Sequence, residues 1–237
     1  MAERLIEYQH DGVTLEAFMA WDDGHAGPRP GVLVSHAWGG RGDFECDKAR
    51  ELARLGYCGL AIDVYGKGVR GSNPEQNAKL MQPLLDDRPL LQARMAAALA
   101  TLRAQAEVDA RRTAALGYCF GGLCVLDLAR SGADVAGVVS MHGLFHAPGN
   151  TAGTPIRAKV LALHGHDDPM VPVEAVQALQ TELTAAGADW QIHVYGGTMH
   201  AFSNPAANAP DHGTVYNAAA DRRSWNSTRD FLAEVLD

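Results

Sequence analysis

A thiol, a carboxylate and an imidazole follow one another in the chain in the order that nucleophilic catalysis uses. Cys119 stands at the centre of Gly117-Tyr118-Cys119-Phe120-Gly121, a Gly-x-nucleophile-x-Gly string. In a turn of this kind, joining a strand to a helix, the nucleophile takes an unfavourable backbone angle, and the flanking glycines remove side chains that would strike neighbouring elements. The thiol is thereby lifted above the sheet edge. The string alone also fits a buried, inert thiol in a tight turn. What separates the two is whether an acid and then a histidine follow, each just past a strand.

Both follow. The apolar run Val160-Leu161-Ala162-Leu163 reads as a buried parallel strand and leads into His164-Gly165-His166-Asp167-Asp168-Pro169-Met170-Val171-Pro172. A carboxylate here lies at the carboxyl end of a strand, where open α/β sheets build their sites. Asp167 and Asp168 compete for the role, and Pro169 and Pro172 stiffen the loop that aims the acid. The alternating segment Trp190-Gln191-Ile192-His193-Val194-Tyr195 reads as an edge strand with one buried face, followed by the loop Gly196-Gly197-Thr198-Met199-His200. His200 is the base in this reading. It takes the thiol proton, stays charged beside the thiolate and later protonates the leaving group, while the aspartate fixes its tautomer.

A developing oxyanion needs two backbone donors. The amide of Phe120, next after the nucleophile, supplies one. The other is expected in His36-Ala37-Trp38-Gly39-Gly40, the loop after the strand Gly31-Val32-Leu33-Val34-Ser35, with Trp38 as the donor. Its indole either walls the pocket or covers core surface. His36, Ala37, His142 and Phe202 are expected to line the pocket, with His146 along the same cleft, whereas His10, His25 and His212 read as surface or loop positions. His164-x-His166-x-Asp168 matches the first part of a binuclear metallohydrolase signature. The match stops at Pro169, so neither metal nor cofactor is expected, and His164 and His166 read as loop residues supporting the acid.

Together these residues resemble the dienelactone hydrolase family, a branch of the α/β-hydrolases with a Cys-Asp-His triad. The resemblance runs from Val32-Leu33-Val34 and Trp38-Gly39-Gly40, through Asp63-Val64-Tyr65-Gly66 and Gly117-Tyr118-Cys119-Phe120-Gly121-Gly122, to His200 and the terminal helix with Trp225. It implies a triad of Cys119, Asp168 and His200, the acid being Asp168 because it opens an Asp-x-x-Val-Pro string, and oxyanion donors on Trp38 and Phe120. Family members place a glutamate after the first strand of the motif where this chain has Ala37. Thiol activation then falls on His200 and the helix start, which implies a standing thiolate–imidazolium pair and a wider range of activated esters. The family's substrate carboxylate is held by arginines. Here Lys67, Arg70, Lys79, Arg88 and Arg94 match no such motif and read as solvated surface charges.

The implied activity is metal-independent hydrolysis of small esters or lactones through a thioacyl enzyme. Phosphotriester hydrolysis by the same triad is an alternative, as main or secondary activity. A reading from another class is a non-catalytic receptor on this fold, but such proteins typically lose a triad member.

The elements that must position these residues alternate as an α/β fold does: a mostly parallel central sheet, helices on both faces and an N-terminal β-hairpin, forming one domain over residues 1–237. Residues 3–20 read as the hairpin, turning at Asp11-Gly12, and residues 22–30 as a Gly/Pro-rich loop. Asp43 is placed as the cap of a helix with Cys46, Ala49 and Ala53 inward, ending at Gly56 before a strand over 57–63. Further helices are expected over 87–106 and 173–186, a strand over 135–141, and a C-terminal helix burying Trp225, Thr228, Leu232 and Val235.

With 237 residues, 47% of them apolar, the chain can bury a large core. Its net charge of −8 disfavours nucleic acid and anionic membranes as partners, leaving a small-molecule substrate. Cys46, Cys58, Cys119 and Cys124 show neither disulfide nor zinc spacing. The start carries no apolar signal-peptide core, so a cytoplasmic location is expected, as a monomer or homodimer.

Overall fold

The computed structural model describes residues 1–24 and 26–237; His25 lies outside the described residues. The first two strands, β1 (Ala2–His10) and β2 (Val13–Trp21), pair as the expected hairpin, with His10 opposite Val13. Asp11 and Gly12 both take positive φ, 48° and 75°, which matches the right-handed twist of the paired strands.

The remaining strands of the sheet are β3 (Arg29–Ser35), β4 (Cys58–Ala61), β5 (Val108–Tyr118), β6 (Gly137–Met141), β7 (Lys159–Gly165) and β8 (Trp190–Tyr195). They lie in the order β1-β2-β4-β3-β5-β6-β7-β8. β2 meets β4 antiparallel, and every neighbour from β4 to β8 is parallel. The middle strands are apolar on both faces because helices cover both. Leu33, Ala115, Val138, Val160 and Ala162 face the core under α3 (Arg88–Arg103), α4 (Phe120–Arg130) and α5 (Val173–Ala185). Their alternates Val32, Val34, Ala114, Leu116, Val139, Leu161 and Leu163 face α1 (Asp43–Arg54) and α6 (Ala218–Leu236). β8 is the edge strand that its alternation predicted.

Three differences from the sequence expectation have physical causes. α1 is capped at Gly42 rather than Asp43: the Glu45 carboxylate reaches back one turn to accept from Gly42 N–H at 2.8 Å. Helix α2 (Pro74–Asp86) fills a stretch read only as a cap region, started by Asn73, whose side chain accepts from Gln76 N–H at 2.9 Å, with Pro74 in the first turn. On α6 the fully buried face runs through Ala220, Ser224, Thr228, Phe231 and Leu232, so Trp225 and Val235 pack at its margin. Two short strands, β9 (Asn208–Ala209) and β10 (Thr214–Val215), follow β8, and Thr214 bridges to His200.

One polar cluster ties the helices of the first core together. Asp127 on α4, wholly buried, receives a two-pronged contact from Arg88 of α3, Nε and Nη2 both at 2.6 Å, and a third from Arg130 at 3.3 Å. Arg130 reaches on to Glu182 of α5 at 2.7 Å and donates to the carbonyls of Phe145 and His146. Arg88 is therefore an interior strut and not the surface charge its sequence suggested. No helix is long and apolar enough to cross a membrane among the described residues.

Candidate active site

Five loops at the carboxyl ends of β3, β5, β6, β7 and β8 converge on Cys119. The thiol stands between β5 and α4 at φ 56° and ψ −117°, a strained geometry for a residue with a side chain. The glycines around it are required by contact. A Cβ on Gly117 would lie 2.0 Å from the Gly121 carbonyl oxygen, one on Gly121 2.2 Å from the Ser35 oxygen, and one on Gly122 2.6 Å from the Gly143 Cα. Helix α4 can thus pack directly on β3 and on the loop after β6, with its positive N-terminal end beside Cys119.

Asp168 and His200 are both buried. His200 Nδ1 lies 2.7 Å from Asp168 Oδ2, and the other carboxylate oxygen accepts from Met170 N–H at 2.8 Å. Asp167 is exposed and contributes only a backbone bond to the Thr198 carbonyl. His200 Nε2 is buried without a hydrogen-bond partner, and the ring lines the same cavity as Cys119.

The electrostatics of this pair are opposed to burial. Desolvation alone would push the Cys119 thiol up, but the positive charge of His200, together with the amides of Phe120 and Trp38, brings it below its ordinary value. For His200, burial pulls the imidazole down. The negative charge of the sulfur and the hydrogen bond to Asp168 outweigh it, and the ring is pushed up to about 10. Groups shifted in these directions would stand as thiolate and imidazolium over the interval between the two ionisations. Alkylation of Cys119 should therefore rise through an inflection below the value of about 8.5 for a free thiol. Hydrolysis, which also needs the imidazolium proton, should be lost above about pH 10. A rate-against-pH series with iodoacetamide checks the first limb, and an alkylation inflection at or above the free-thiol value would refute the pair.

A cavity of about 340 Å³ opens over the sulfur. Ala37 and His142 line it, as the sequence suggested, but His36 and Phe202 do not. His36 is wholly buried behind its loop, where Nδ1 donates to the Ala37 carbonyl at 2.7 Å and Nε2 accepts from Val64 N–H at 3.2 Å. It braces the backbone of the loop after β3 against the segment after β4. Phe202 is turned under the site, edge-on to His142 at 5.1 Å. His146 is exposed beside a separate cavity of about 700 Å³ between α5 and residues 145–156, which is lined by none of Cys119, Asp168 and His200. Trp38 does both things that were open to it: it lines the cavity and packs on the core, while its carbonyl accepts from the Tyr65 hydroxyl at 2.9 Å.

His164 is buried against Phe145 and His166 is exposed. Among the described residues no three His, Cys, Asp or Glu side chains converge as a ligand set.

Residues 15–236 match the dienelactone hydrolase family. The chain belongs to that family. Among its relatives, a Yersinia pestis protein with carboxymethylenebutenolidase in its name is 27% identical over 235 residues, 94% of this chain and 85% of that one. Two solved structures superpose closely, each spanning 100% of this chain and 99% of its own. One is m3DLH, with TM-score 0.93 and 38% identity. The other is a dienelactone hydrolase-like promiscuous phosphotriesterase from metagenomic libraries, with TM-score 0.93 and 36% identity. This chain is accordingly a hydrolase of the dienelactone hydrolase type, with an α/β-hydrolase fold.

Two features of this family member's site go beyond the sequence reading: the hydrogen bonding of His142, expected only as a wall of the pocket, and the presence of Glu45. His142, at φ 37°, accepts from Cys119 N–H at 3.2 Å through Nδ1, so its proton sits on Nε2, 2.8 Å from Ser203 Oγ. Burial and the charge of His200 hold it well below the usual imidazole value, which keeps it neutral beside the imidazolium. The ring thus clips the turn at Cys119 to the loop that carries His200. Glu45 is the second. It is 4% exposed, faces the cavity and accepts from Ala37 N–H at 3.3 Å. Reading Gly42 and Glu45 as the two ends of a capping box would have found it.

Proposed function

We propose that this protein, as a single domain, hydrolyses small esters and lactones with Cys119 as nucleophile, through a thioacyl enzyme and without a metal. One observation carries the reading: Cys119 and His200 line the same cavity as Trp38, with His200 Nδ1 held 2.7 Å from Asp168 Oδ2 and with the amides of Trp38 and Phe120 near enough to the sulfur to favour its ionised form. Nucleophile, base and oxyanion donors therefore share one point.

The Cys119 thiolate attacks the carbonyl carbon, and the carbonyl electron pair moves onto oxygen, where the two amides receive it. Collapse re-forms the carbonyl and breaks the carbon–oxygen bond, and the departing oxygen takes the proton of the His200 imidazolium. Neutral His200 then removes a proton from water as the water attacks the thioester. Sulfur leaves as thiolate, the acid is released and the imidazolium is restored. In a lactone the leaving oxygen stays tethered to the acyl group. Asp168 holds the ring orientation throughout.

A second reading is supported by the solved relative that is a promiscuous phosphotriesterase, 36% identical over the whole chain. Attack of the same thiolate on tetrahedral phosphorus uses the same two amides, and turnover then depends on hydrolysis of a phosphorylated cysteine. Acid-quenched mixtures with p-nitrophenyl acetate and with diethyl p-nitrophenyl phosphate distinguish these activities. The expected result is a nitrophenol burst and an acetyl mass increment on the peptide bearing Cys119. An adduct on another residue would sink the thioacyl route, and absence of turnover with both would favour a receptor.

A further inference from the structure

The charge lining the cavity is one-sided. Ala37, Phe44, Met81, Leu144 and Met170 give it an apolar wall, and beyond the triad its charged group is the Glu45 carboxylate. No Lys or Arg lines it among the described residues. The basic side chains of the neighbouring segment are committed elsewhere: Lys67 to Glu7, Lys79 to Glu75, Arg88 to Asp127 and Arg94 to the Val64 carbonyl. Arg70 is exposed; its guanidinium neighbours Gly42 but forms no ion pair with Glu45. Glu45 cannot turn away, because its two oxygens are fixed by the N–H groups of Ala37 and Gly42 at 3.3 and 2.8 Å. Ala37 immediately precedes Trp38, the proposed oxyanion donor, so the negative charge is held next to the point where an acyl group must dock.

We propose that Glu45 sets the charge selectivity of this cleft, admitting neutral or cationic acyl and phosphoryl compounds and rejecting anionic ones. The inference rests on the thiol-hydrolase reading for its substrates. Its physical basis is that a carboxylate entering a desolvated, apolar-walled cavity beside a fixed carboxylate meets a repulsion that bulk water would largely screen. Neutral carboxylic esters, neutral lactones and fully esterified phosphates are the class that fits. A substrate bearing its own carboxylate finds no cation to receive it.

The test uses the charge of the reagent and needs no turnover. Iodoacetamide and iodoacetate differ little in size and share a leaving group, and both report on Cys119 directly. In Glu45→Gln the iodoacetate rate, normalised to iodoacetamide on the same protein, is expected to rise about tenfold over wild type, as removal of a close like charge predicts. Glu234→Gln, exposed on α6, changes net charge equally and should leave the ratio unchanged. In the wild type, raised salt should narrow the gap. The same ratio taken for kcat/KM on p-nitrophenyl butyrate and the mono-p-nitrophenyl ester of succinic acid should shift likewise, chiefly through KM. If Glu45→Gln slows both reagents alike and leaves the ratio fixed, Glu45 is only a helix cap and the proposal fails. If the alkylation ratio shifts but neither ester turns over, charge selectivity stands and the hydrolase reading fails.

Discussion

Cys119→Ala is expected to lower kcat/KM for a p-nitrophenyl ester by about 10⁴-fold or more, a loss above about 5 kcal/mol of transition-state stabilisation. The reason is that the proposed mechanism has no bypass. Without sulfur, His200 faces an empty position, and water would have to be ordered and deprotonated where a formed thiolate now stands. The amides of Trp38 and Phe120 persist in the variant, so a residual rate above background is expected from them. A strong chelator should leave the wild type unchanged. Activity that survives the substitution but disappears with chelator would return the His164-x-His166 loop to consideration as a metal site. Serine is not an equivalent replacement, because an alcohol cannot stand ionised beside His200.

Asp127→Ala is expected to destabilise the fold by about 3–5 kcal/mol. It would strand two interior guanidiniums, Arg88 at 8% and Arg130 at 1% side-chain exposure, each of which now meets the Asp127 carboxylate. Breaking one side of such a cluster costs more than its net contribution, because the abandoned charges stay desolvated. A domain of ordinary stability, about 5–15 kcal/mol, would lose a large share of it. The urea midpoint should fall with little change in slope. A shift below about 1 kcal/mol would mean that water or Glu182 takes over the vacant contacts.

The family and the fold were legible in the sequence because their marks are short strings. A nucleophile between glycines, an acid after an apolar run and a histidine after an alternating one each announce their strand, and the strand's end places them on one rim. Asp168 was separable from Asp167 only by resemblance, since both follow the same strand and only one carboxylate turns toward His200. What failed was the direction of neighbours. His36 and Phe202 sit beside cavity-lining residues in the chain, yet one step along a loop reverses a side chain, and both point into packing. Glu45 was missed for the opposite reason: it reaches the site from a helix, across the gap left by Ala37. The buried cluster at Asp127 was invisible because charged residues on helices read as solvent-facing until the helices that cover them are known. Helix α2 escaped although Asn73-Pro74 is a fair start signal, because its apolar stripe is short and only Leu84 is buried.

The nearness of the Trp38 and Phe120 amides to the Cys119 sulfur bears on how the proposed reaction would feel its surroundings. In the proposed attack, no ion is created in the cleft. A negative charge already held by two N–H groups and faced by an imidazolium shifts from sulfur, across one carbon, to oxygen, and the same partners keep it. An alcohol nucleophile must separate charge while climbing the barrier, whereas in the proposed pair the separation is complete before substrate arrives. The rearrangement of dipoles that ordinarily accompanies such a step is largely finished when the chain folds. The bond-making step should accordingly respond weakly to the polarity of the medium, and strongly to any change that moves the Trp38 loop relative to the start of α4.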